Sequence, residues 1–460
     1  PELNCYGVDY IHSPNIDKLS AEGATFRSHY VQAPICGASR YALLTGTYGP
    51  ADNDALFQRA KEVFQQSKGV LPSLPAWFRE HGYTTVSIGK VSHHPGGLGG
   101  SDWDDVDKKE MPLSWDRNLM PSGSWQNPRG AMHGLANGEI RWKPSKMDVY
   151  QSFDGPDDSY PDGLIVKESL RELESLAKDG KPFFLAVGLI RPHLPFGAPA
   201  QYMDYYAETD LPPIHHPEQP EGKTTWHPSG EFMKYNRWEK NPNEDEAFAM
   251  DVRKHYAACV SYADAQVGRL LEKVASLHLD ENTVVVFWGD HGWHLGEHAV
   301  WGKHTLFEES LLSPLIIRGP SKISPGQSFD FIVEAIDMYP TLCELAGLPS
   351  PENLDGQSLM SQITGLENVG QGAISYNKSA VTLRSDTHRF IAHNDGHVEL
   401  YSHIGLEKEA RNIAESEPEL VLKMATLLHE RVPDKLPVSL LNKIRRMQPN
   451  LSDTPMYIQQ

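Results

Sequence analysis

The sequence predicts an α/β protein in which a largely parallel central sheet is covered on both faces by helices. Short apolar runs rich in β-branched residues alternate along the chain with charged stretches of helical periodicity. Parallel strands that are buried on both faces read as continuous apolar runs, and each needs a crossover, usually a helix, to reach the next strand. Of the 460 residues, 39% are hydrophobic and 22% are charged, which excludes a disordered or fibrous protein.

Four apolar runs are the predicted strands of this sheet. They span residues 83–88, 183–189, 283–288 and 314–318. The first three follow predicted helices at residues 73–81, 163–178 and 246–277. Sites of open α/β sheets lie beyond the carboxyl ends of the strands, so the segments after these runs are where a functional site is expected.

The last part of the chain has a different pattern. Two β-rich runs, residues 387–392 and 397–401, flank the turn Asn394-Asp395-Gly396 and predict a β-hairpin. A helix is predicted over residues 417–432, with Ser416 as its N-cap. An antiparallel sheet with a packed helix is therefore expected after the α/β part.

Two structural units are predicted, an α/β catalytic domain at residues 1–365 and a smaller α+β subdomain at residues 366–460. Within the first unit, residues 93–162 and 207–245 are irregular and long enough to favour a functional role. Aromatic residues in the first of these loops either contact sugar faces or hold the loop in place: Trp103, Trp115, Trp125 and Trp142.

Charge and cysteine content limit the classes of function. The net charge of −19 argues against a nucleic-acid binder, because such proteins present a basic field. An anionic substrate would therefore need a local cluster of cations. The four scattered cysteines form no recognisable disulfide framework or zinc knuckle. No apolar run is long enough to span a bilayer, and no secretory signal pattern opens the sequence.

The run Cys-Gly-Ala-Ser-Arg-Tyr-Ala-Leu-Leu-Thr-Gly, residues 36–46, is the most informative stretch of the chain. A helix is predicted to begin just after Cys36, which would aim backbone N–H groups and the positive end of the helix dipole at an anion. Arg40, one turn on, adds a permanent positive charge. A buried structural cysteine is the alternative, but ordinary packing gives no reason for the whole pattern.

Four further segments carry ionisable residues after predicted strands or in the loop that follows. They are Gly-Lys-Val-Ser-His-His (89–94), Arg-Pro-His-Leu-Pro-Phe (191–196), Gly-Asp-His-Gly (289–292) and Trp-Gly-Lys-His-Thr (301–305). Taken singly, each residue has an ordinary structural explanation. An Asp after a strand caps a turn as readily as it binds a hard cation. A Lys in a loop is usually solvated, and a lone His is usually structural. The four in order favour one site.

Together these segments resemble the type I, formylglycine-dependent sulfatases of the alkaline phosphatase superfamily. Residues 36–46 match the signature Cys-x-Pro/Ala-Ser-Arg-x-x-x-Leu-Thr-Gly, with Ala38 where Pro is commoner. The Arg-Pro-His-Leu-Pro-Phe and Trp-Gly-Lys-His forms are closest to the iduronate-2-sulfatase-like branch. The resemblance implies that a maturation enzyme oxidises Cys36 to formylglycine, whose hydrated form attacks a sulfate ester.

The resemblance also implies a role for each matching residue. A Ca2+ ion would be bound by Asp290, with His291 and Cys36 beside it. Lys90 and Lys303 would contact sulfate, and Lys303 also the leaving oxygen. His93, which the spacing favours over His94, would contact the nucleophile's second hydroxyl. His193 would bind sulfate or donate a proton to the leaving group. Arg40 would contact a gem-diol oxygen or sulfate.

One departure concerns the metal. In this family a strand that ends in Asp-Asp lies just before the equivalent of Pro1, and both carboxylates are Ca2+ ligands. Among the printed residues, Asp290 is the carboxylate that matches a metal-ligand motif of the family. Asp9 and Asp17 match none of the family's metal ligands. We therefore expect this chain, as printed, to bind Ca2+ weakly, to turn over slowly or not at all, and to show an open edge or gap in its sheet.

The predicted function is hydrolysis of O-sulfate esters of a sulfated sugar, in particular a uronic-acid-containing polysaccharide or oligosaccharide. Two alternatives stay open: a phosphate or phosphonate ester hydrolase of the same superfamily, and a catalytically impaired protein that binds sulfated glycans. Family habit predicts a periplasmic, extracellular or lysosomal location. The expected partners are the sulfated carbohydrate and the maturation enzyme, with neither nucleic acid nor a membrane span.

Overall fold

The computed structural model describes residues 1–66, 69–94, 110–140, 143–319, 323–365, 372–405 and 409–448. The strands of this part of the chain are β1 (Ala24–Tyr30), β2 (Thr84–Gly89), β3 (Arg117–Leu119), β4 (Tyr150–Phe153), β5 (Phe183–Gly188), β6 (Phe196–Pro199), β7 (Val285–Trp288), β8 (His294–Leu295), β9 (Trp301–Gly302), β10 (Leu315–Arg318), β11 (Gln327–Glu334), β12 (Ala373–Tyr376), β13 (Ala380–Arg384), β14 (His388–His393) and β15 (Val398–Ser402).

Helices connect and cover these strands. They are α1 (Pro14–Glu22), α2 (Cys36–Thr45), α3 (Ala55–Phe64), α4 (Leu74–Glu80), α5 (Pro128–Met132), α6 (Pro161–Asp179), α7 (Ala200–Met203), α8 (Glu246–Ser276), α9 (Glu308–Leu311), α10 (Met338–Leu345), α11 (Met360–Ile363), α12 (Pro418–Arg431) and α13 (Val438–Met447). The three helices predicted ahead of the central strands are α4, α6 and α8. Two of them have side-chain N-caps, since Ser73 Oγ accepts from Ala76 N and the Asp245 side chain accepts from Phe248 N.

The four predicted central strands are β2, β5, β7 and β10, and they lie in two sheets. One sheet has the order β11-β1-β10-β7 and the other the order β3-β2-β5. Strand β2 is parallel to both of its neighbours, and β1 is parallel to β11. The α/β class is confirmed, but β10 runs antiparallel to β1 and β7. After β7 the chain continues through β8, β9 and α9. It returns to the sheet at the end where β7 stops, so β10 runs in the opposite direction to β7.

The C-terminal unit is the predicted small antiparallel sheet with packed helices. Its strands follow the order β12-β13-β14-β15, and β14 and β15 form the predicted hairpin. Helices α12 and α13 contribute Val421, Leu428 and Ile444 to its apolar core. The N-cap prediction was wrong: Glu417 holds the N-cap position, while Ser416 Oγ donates to Ile413 O. The predicted boundary at residue 366 lies outside the described residues.

Both tryptophans of this loop that lie in the described residues have structural contacts. Trp125 is 1% exposed, and its indole N–H donates to Leu135 O at 2.8 Å, so this ring holds the loop in place. Trp115 packs near the ring of Phe184, which is at the start of β5. Trp103 and Trp142 lie outside the described residues.

A cavity of about 1280 Å³ lies between the two central sheets. Strands β5 and β7 each end their own sheet, and residues of both line the cavity, as do Pro1, Glu2 and Leu3. At one end the cavity reaches Cys36, Lys90 and Asp290. Every helix of the described ranges is too short or too polar to cross a bilayer.

Candidate active site

Cys36 is the first residue of α2 and is 2% exposed. The predicted helix therefore starts at the cysteine itself, so the positive end of the helix dipole lies at this side chain. Gly37 allows this helix to lie against the loop before α3, because a Cβ on Gly37 would be 2.2 Å from Asn53 O. The Asn53 side chain also accepts a hydrogen bond from Gly37 N at 2.9 Å. The start of α2 is thus held firmly in position.

Cationic and imidazole groups surround the Cys36 sulfur. His291 Nε2 lies 3.2 Å from Sγ, and the ammonium groups of Lys90 and Lys303 each lie 3.7 Å from it. The His93 side chain forms a further hydrogen bond with Cys36. Three segments of the chain thus converge on one atom at the start of α2.

The topology explains this convergence. Lys90 directly follows β2, His193 comes soon after β5, and Asp290 and His291 come directly after β7. The carboxyl ends of the parallel strands β2 and β5 lie at the same end of their sheet, and the short hairpin β8–β9 returns Lys303 to the segment that follows β7. All the positions predicted from the sequence are within this region.

Arg40 has a different partner from the one predicted. Its guanidinium binds the Asp290 carboxylate, with Nε and a terminal nitrogen each 2.9 Å from Oδ2. It also donates to the backbone oxygens of Lys90 and Val91. Burial alone would raise the pKa of Asp290, but Arg40 and then His291 outweigh it and lower that pKa. Arg40 therefore orients Asp290 and the segment after β2 in this structure.

The orientation of His291 is set by its neighbours. Its Nδ1 lies 2.8 Å from Gly292 O, so this nitrogen carries the proton and donates to the carbonyl. Nε2 consequently points at Cys36. Burial by itself lowers the pKa of His291, but the charges of Asp290 and Cys36 outweigh burial and raise it.

Glu231 belongs to the site, and the sequence carried no signal for it. Its carboxylate lies 3.3 Å from Lys303 Nζ and 3.8 Å from His193 Nε2. Burial would raise the pKa of Glu231, but Lys303 and His304 hold it well below its ordinary value. It comes from the irregular loop 207–245, where an isolated Glu has no motif around it. His133 is a second unpredicted neighbour, with its ring 5.6 Å from that of His193.

His94 is turned away from the sulfur, as the spacing argument predicted. Its ring stacks on Phe57 at 5.0 Å, and Nε2 lies 3.4 Å from Asp54. Its backbone N–H donates to the buried carboxyl of Glu110. Burial raises the pKa of Glu110 to about 7. His93 and His94 thus face different surroundings although they are adjacent.

The electrostatics of the site favour an anion at Cys36. Burial alone would raise the pKa of the Cys36 thiol. The ammonium groups of Lys303 and Lys90, followed by His291, outweigh burial and hold that pKa well below its ordinary value. Local cations thus override the overall charge of −19, as the sequence led us to expect.

This field predicts an unusual pH dependence of thiol alkylation in protein whose Cys36 is unmodified. A thiol with a depressed pKa is already ionised at neutral pH, so its reaction with iodoacetamide should change little between pH 6 and 8. Cys5 is the internal control, because burial and the nearby Asp17 charge raise the pKa of its thiol to about 12. Its rate should rise about tenfold for each pH unit. Peptide mass spectrometry measures both rates, and a tenfold rise at Cys36 would contradict the proposed field.

The residues at the site fit part of a metal shell. Cys36, Asp290 and His291 each offer one ligand atom, and these atoms lie within 4.8 Å of one another. Ca2+ takes six to eight oxygen ligands, whereas this group contains one carboxylate, and Arg40 already binds it. The three residues would supply one side of a cation site, and no reaction step is assigned to the ion.

The buried cysteine lies at a helix start, and two lysines and two histidines surround it. This arrangement agrees with the family signature in the sequence. The sulfatase family model matches residues 1–348. The chain belongs to the sulfatase family. It is a sulfuric ester hydrolase of the alkaline phosphatase superfamily, and sulfatases in general use a metal ion and a formylglycine.

Individual relatives agree with this assignment. The sulfatase is 30% identical to iduronate 2-sulfatase of Mus musculus over 394 residues, which are 76% of this chain and 67% of that protein. Its fold is similar to that of a phosphonate monoester hydrolase of Agrobacterium radiobacter, with a TM-score of 0.73, 19% identity and coverage of 94% and 93% of the two chains. It is also similar to BT4656 in complex with its substrate D-glucosamine-2-N,6-O-disulfate, with a TM-score of 0.70, 19% identity and coverage of 95% and 96%.

Proposed function

We propose that this sulfatase hydrolyses O-sulfate esters of a sulfated sugar, through a formylglycine formed from Cys36 and with Ca2+ at Asp290. One observation carries the proposal: His291, Lys90 and Lys303 lie within 3.7 Å of the Cys36 sulfur at the start of α2. In converted protein the oxygens of a hydrated aldehyde would stand where the sulfur now lies. Those oxygens would supply the nucleophile for sulfur, and the cation would polarise the sulfate oxygens.

The residues around Cys36 divide the remaining work. Lys90 Nζ is buried and lies close enough to stabilise the negative charge of a sulfate group. The His93 side chain is hydrogen-bonded to the Cys36 side chain, and burial lowers its pKa, so it is neutral and ready to accept a proton there. This base would take the proton of the second hydroxyl when sulfate leaves.

The leaving alcohol needs a proton, and two residues are placed to provide it. Lys303 Nζ lies 3.3 Å and His193 Nε2 3.8 Å from the Glu231 carboxylate. Burial, Lys90 and Lys303 hold the pKa of His193 well below its ordinary value, so His193 is neutral at rest. Lys303 is charged, because Cys36 and Glu231 raise its pKa despite burial. Lys303 is therefore the proposed donor, and His193 binds sulfate.

The substrate class is inferred from relatives. The Mus musculus protein is an iduronate 2-sulfatase, and BT4656 was captured with a sulfated glucosamine. We therefore propose a sulfated sugar, in particular a unit of a uronic-acid-containing polysaccharide or oligosaccharide. A panel of defined sulfated oligosaccharides, followed by chromatography of the products, tests this choice. Release of sulfate from aryl sulfate alone would contradict the sugar assignment.

The charge balance of the chain's own residues favours sulfate over phosphate esters. Arg40 is paired with Asp290, and Lys303 with Glu231, which leaves Lys90 as the excess cation beside the imidazoles. A sulfate monoester carries one negative charge at neutral pH, whereas a phosphate monoester carries nearly two. We expect kcat/KM for 4-nitrophenyl sulfate to exceed that for 4-nitrophenyl phosphate at least about tenfold.

Steady-state assays on both esters measure this ratio with one preparation of protein. Phenylphosphonate monoester is the third substrate, because the structural likeness to phosphonate monoester hydrolases makes that activity the alternative. A ratio below one would assign the protein to phosphate or phosphonate chemistry.

Modification of Cys36 separates an enzyme from a glycan-binding protein. The protein is produced in a host that has the maturation enzyme and is then digested. Mass spectrometry measures the mass of the peptide that contains Cys36. Conversion to formylglycine is the expected result. An intact thiol from such a host would favour a protein that binds sulfated glycans without hydrolysing them.

A further inference from the structure

A second group of potential ligands lies outside the Cys36 site. His298 is in the loop between β8 and β9, Glu309 is in α9, and Glu409 follows β15 in the C-terminal unit. Each offers one ligand atom, and the three atoms lie within 4.8 Å of one another. We call these residues the His298 cluster. It joins three segments of the fold, one of which carries Lys303 a few residues later.

Two atoms of the cluster are buried without a partner. His298 is 2% exposed, and its Nε2 has no hydrogen-bond partner in the described part of the chain. The same holds for Glu309 Oε2, which lies 3.9 Å from that nitrogen. Burying a nitrogen and a carboxylate oxygen without partners is costly, so such pairs normally share an ion, a water or a proton.

The side chains around the His298 cluster leave an excess of negative charge, which a bound cation would neutralise. Arg389 and Arg384 both bind Glu308, and Arg389 also binds Glu409. Across the described ranges, the ionic contacts of Glu309 are with His294 and His298, and none is with Lys or Arg. Burial and the nearby carboxylates of Glu409 and Glu297 raise the pKa of Glu309 well above its ordinary value.

A neighbouring group provides a useful contrast. Glu308, His403 and Glu409 also bring ligand atoms together. There the Arg389 guanidinium already bridges the two carboxylates, and His403 Nε2 lies 2.9 Å from Glu409. That group is therefore complete without an ion, whereas the His298 cluster has an unfilled centre.

We infer that His298, Glu309 and Glu409 bind one divalent transition-metal ion, with Zn2+ the best match. One imidazole and two carboxylates form a donor set that Zn2+ accepts, with a water to complete a tetrahedron. Glu409 already accepts three hydrogen bonds, but a carboxylate offers about four acceptor sites, so a position is left for the ion. Such an ion would hold the β8–β9 loop to α9 and to the C-terminal unit.

Zn2+ binding to the full chain tests the inference directly. The test protein carries Cys36→Ala, so that the thiol of the active-site group cannot hold the ion. After treatment with EDTA and dialysis, calorimetric titration should detect one tightly bound Zn2+, and the ion should raise the melting temperature. Added His298→Gln should weaken Zn2+ binding at least about tenfold and abolish the thermal shift.

Glu309→Gln, which keeps the shape of the side chain, should have the same effect and covers the case in which His298→Gln fails to fold. His278→Gln, an exposed histidine on another loop, is the matched control and should bind as the parent does. Failure of the Cys36→Ala chain to bind Zn2+ would overturn the inference and indicate a proton shared between Glu309 and His298. Unchanged binding in both variants would overturn it equally.

Discussion

Replacing Cys36 by Ala is expected to lower kcat/KM for sulfate-ester hydrolysis about 10⁴-fold or more. The substitution removes the side chain from which the proposed formylglycine nucleophile would form, while Lys90, Lys303 and His291 remain around the position. Binding of a sulfated ligand should therefore fall much less than turnover. Initial rates with an aryl sulfate and calorimetry with a non-hydrolysable sulfonate measure the two effects separately.

Cys5→Ala is the matched control for this result. Cys5 is half-buried near the chain's first residues, and its raised pKa makes it unreactive, so the variant should keep activity within about twofold of the parent. Residual hydrolysis above one per cent in Cys36→Ala would show that another group attacks the ester.

Replacing Lys303 by Met is expected to lower kcat about 10²- to 10³-fold, the usual loss when one positioned charge is removed from an active site. Lys303 Nζ lies 3.7 Å from the Cys36 sulfur and 3.3 Å from Glu231. The side chain is 4% exposed, so it acts in a nearly water-free environment where its charge is strongly felt. KM should change less than kcat if Lys303 serves the leaving oxygen. Stopped and continuous assays with aryl sulfates of different leaving-group pKa distinguish the two parameters.

The variant also leaves Glu231 without its ammonium partner, which costs stability. The double variant Lys303→Met/Glu231→Gln restores charge balance and separates the two effects. Recovery of the melting temperature with activity still low would confirm a chemical role for Lys303. Recovery of both would mean that Lys303 merely neutralises Glu231. Lys254→Met, at a half-buried position on α8 where the side chain donates to Ala207 O, is the control and should keep the parent's activity.

Much of the architecture was predictable because local patterns and local physics agree. The apolar runs that became β2, β5, β7 and β10 start or end within two residues of their predicted limits. The hairpin β14–β15 formed at its Asn-Asp-Gly turn. The direction of β10 was not predictable, because a strand reads the same in either orientation and only the path of the preceding loop decides it.

The residues of the candidate site also fall into those that the sequence predicted and those that it did not. Cys36, Lys90, His93, His193, Asp290, His291 and Lys303 were recognisable because each stands in a short motif beside a strand or helix start. Glu231 was not, since a carboxylate in an irregular loop has no local signature and its meaning comes from Lys303, 72 positions later. The Arg40–Asp290 pair was missed because Arg40 was assigned to a gem-diol oxygen or sulfate and Asp290 to Ca2+, rather than to each other.

By itself the sequence determined the α/β class and the membership of the sulfatase family, because these depend on residue types at fixed spacing, and it predicted the nucleophile at Cys36. The tertiary structure decided which charges are neutralised before a substrate arrives. Pairing of Arg40 with Asp290 and of Lys303 with Glu231 depends on distances of 2.9 and 3.3 Å between residues 250 and 72 positions apart. Electrostatic energy depends on such distances and on burial, and neither is written in the order of the residues.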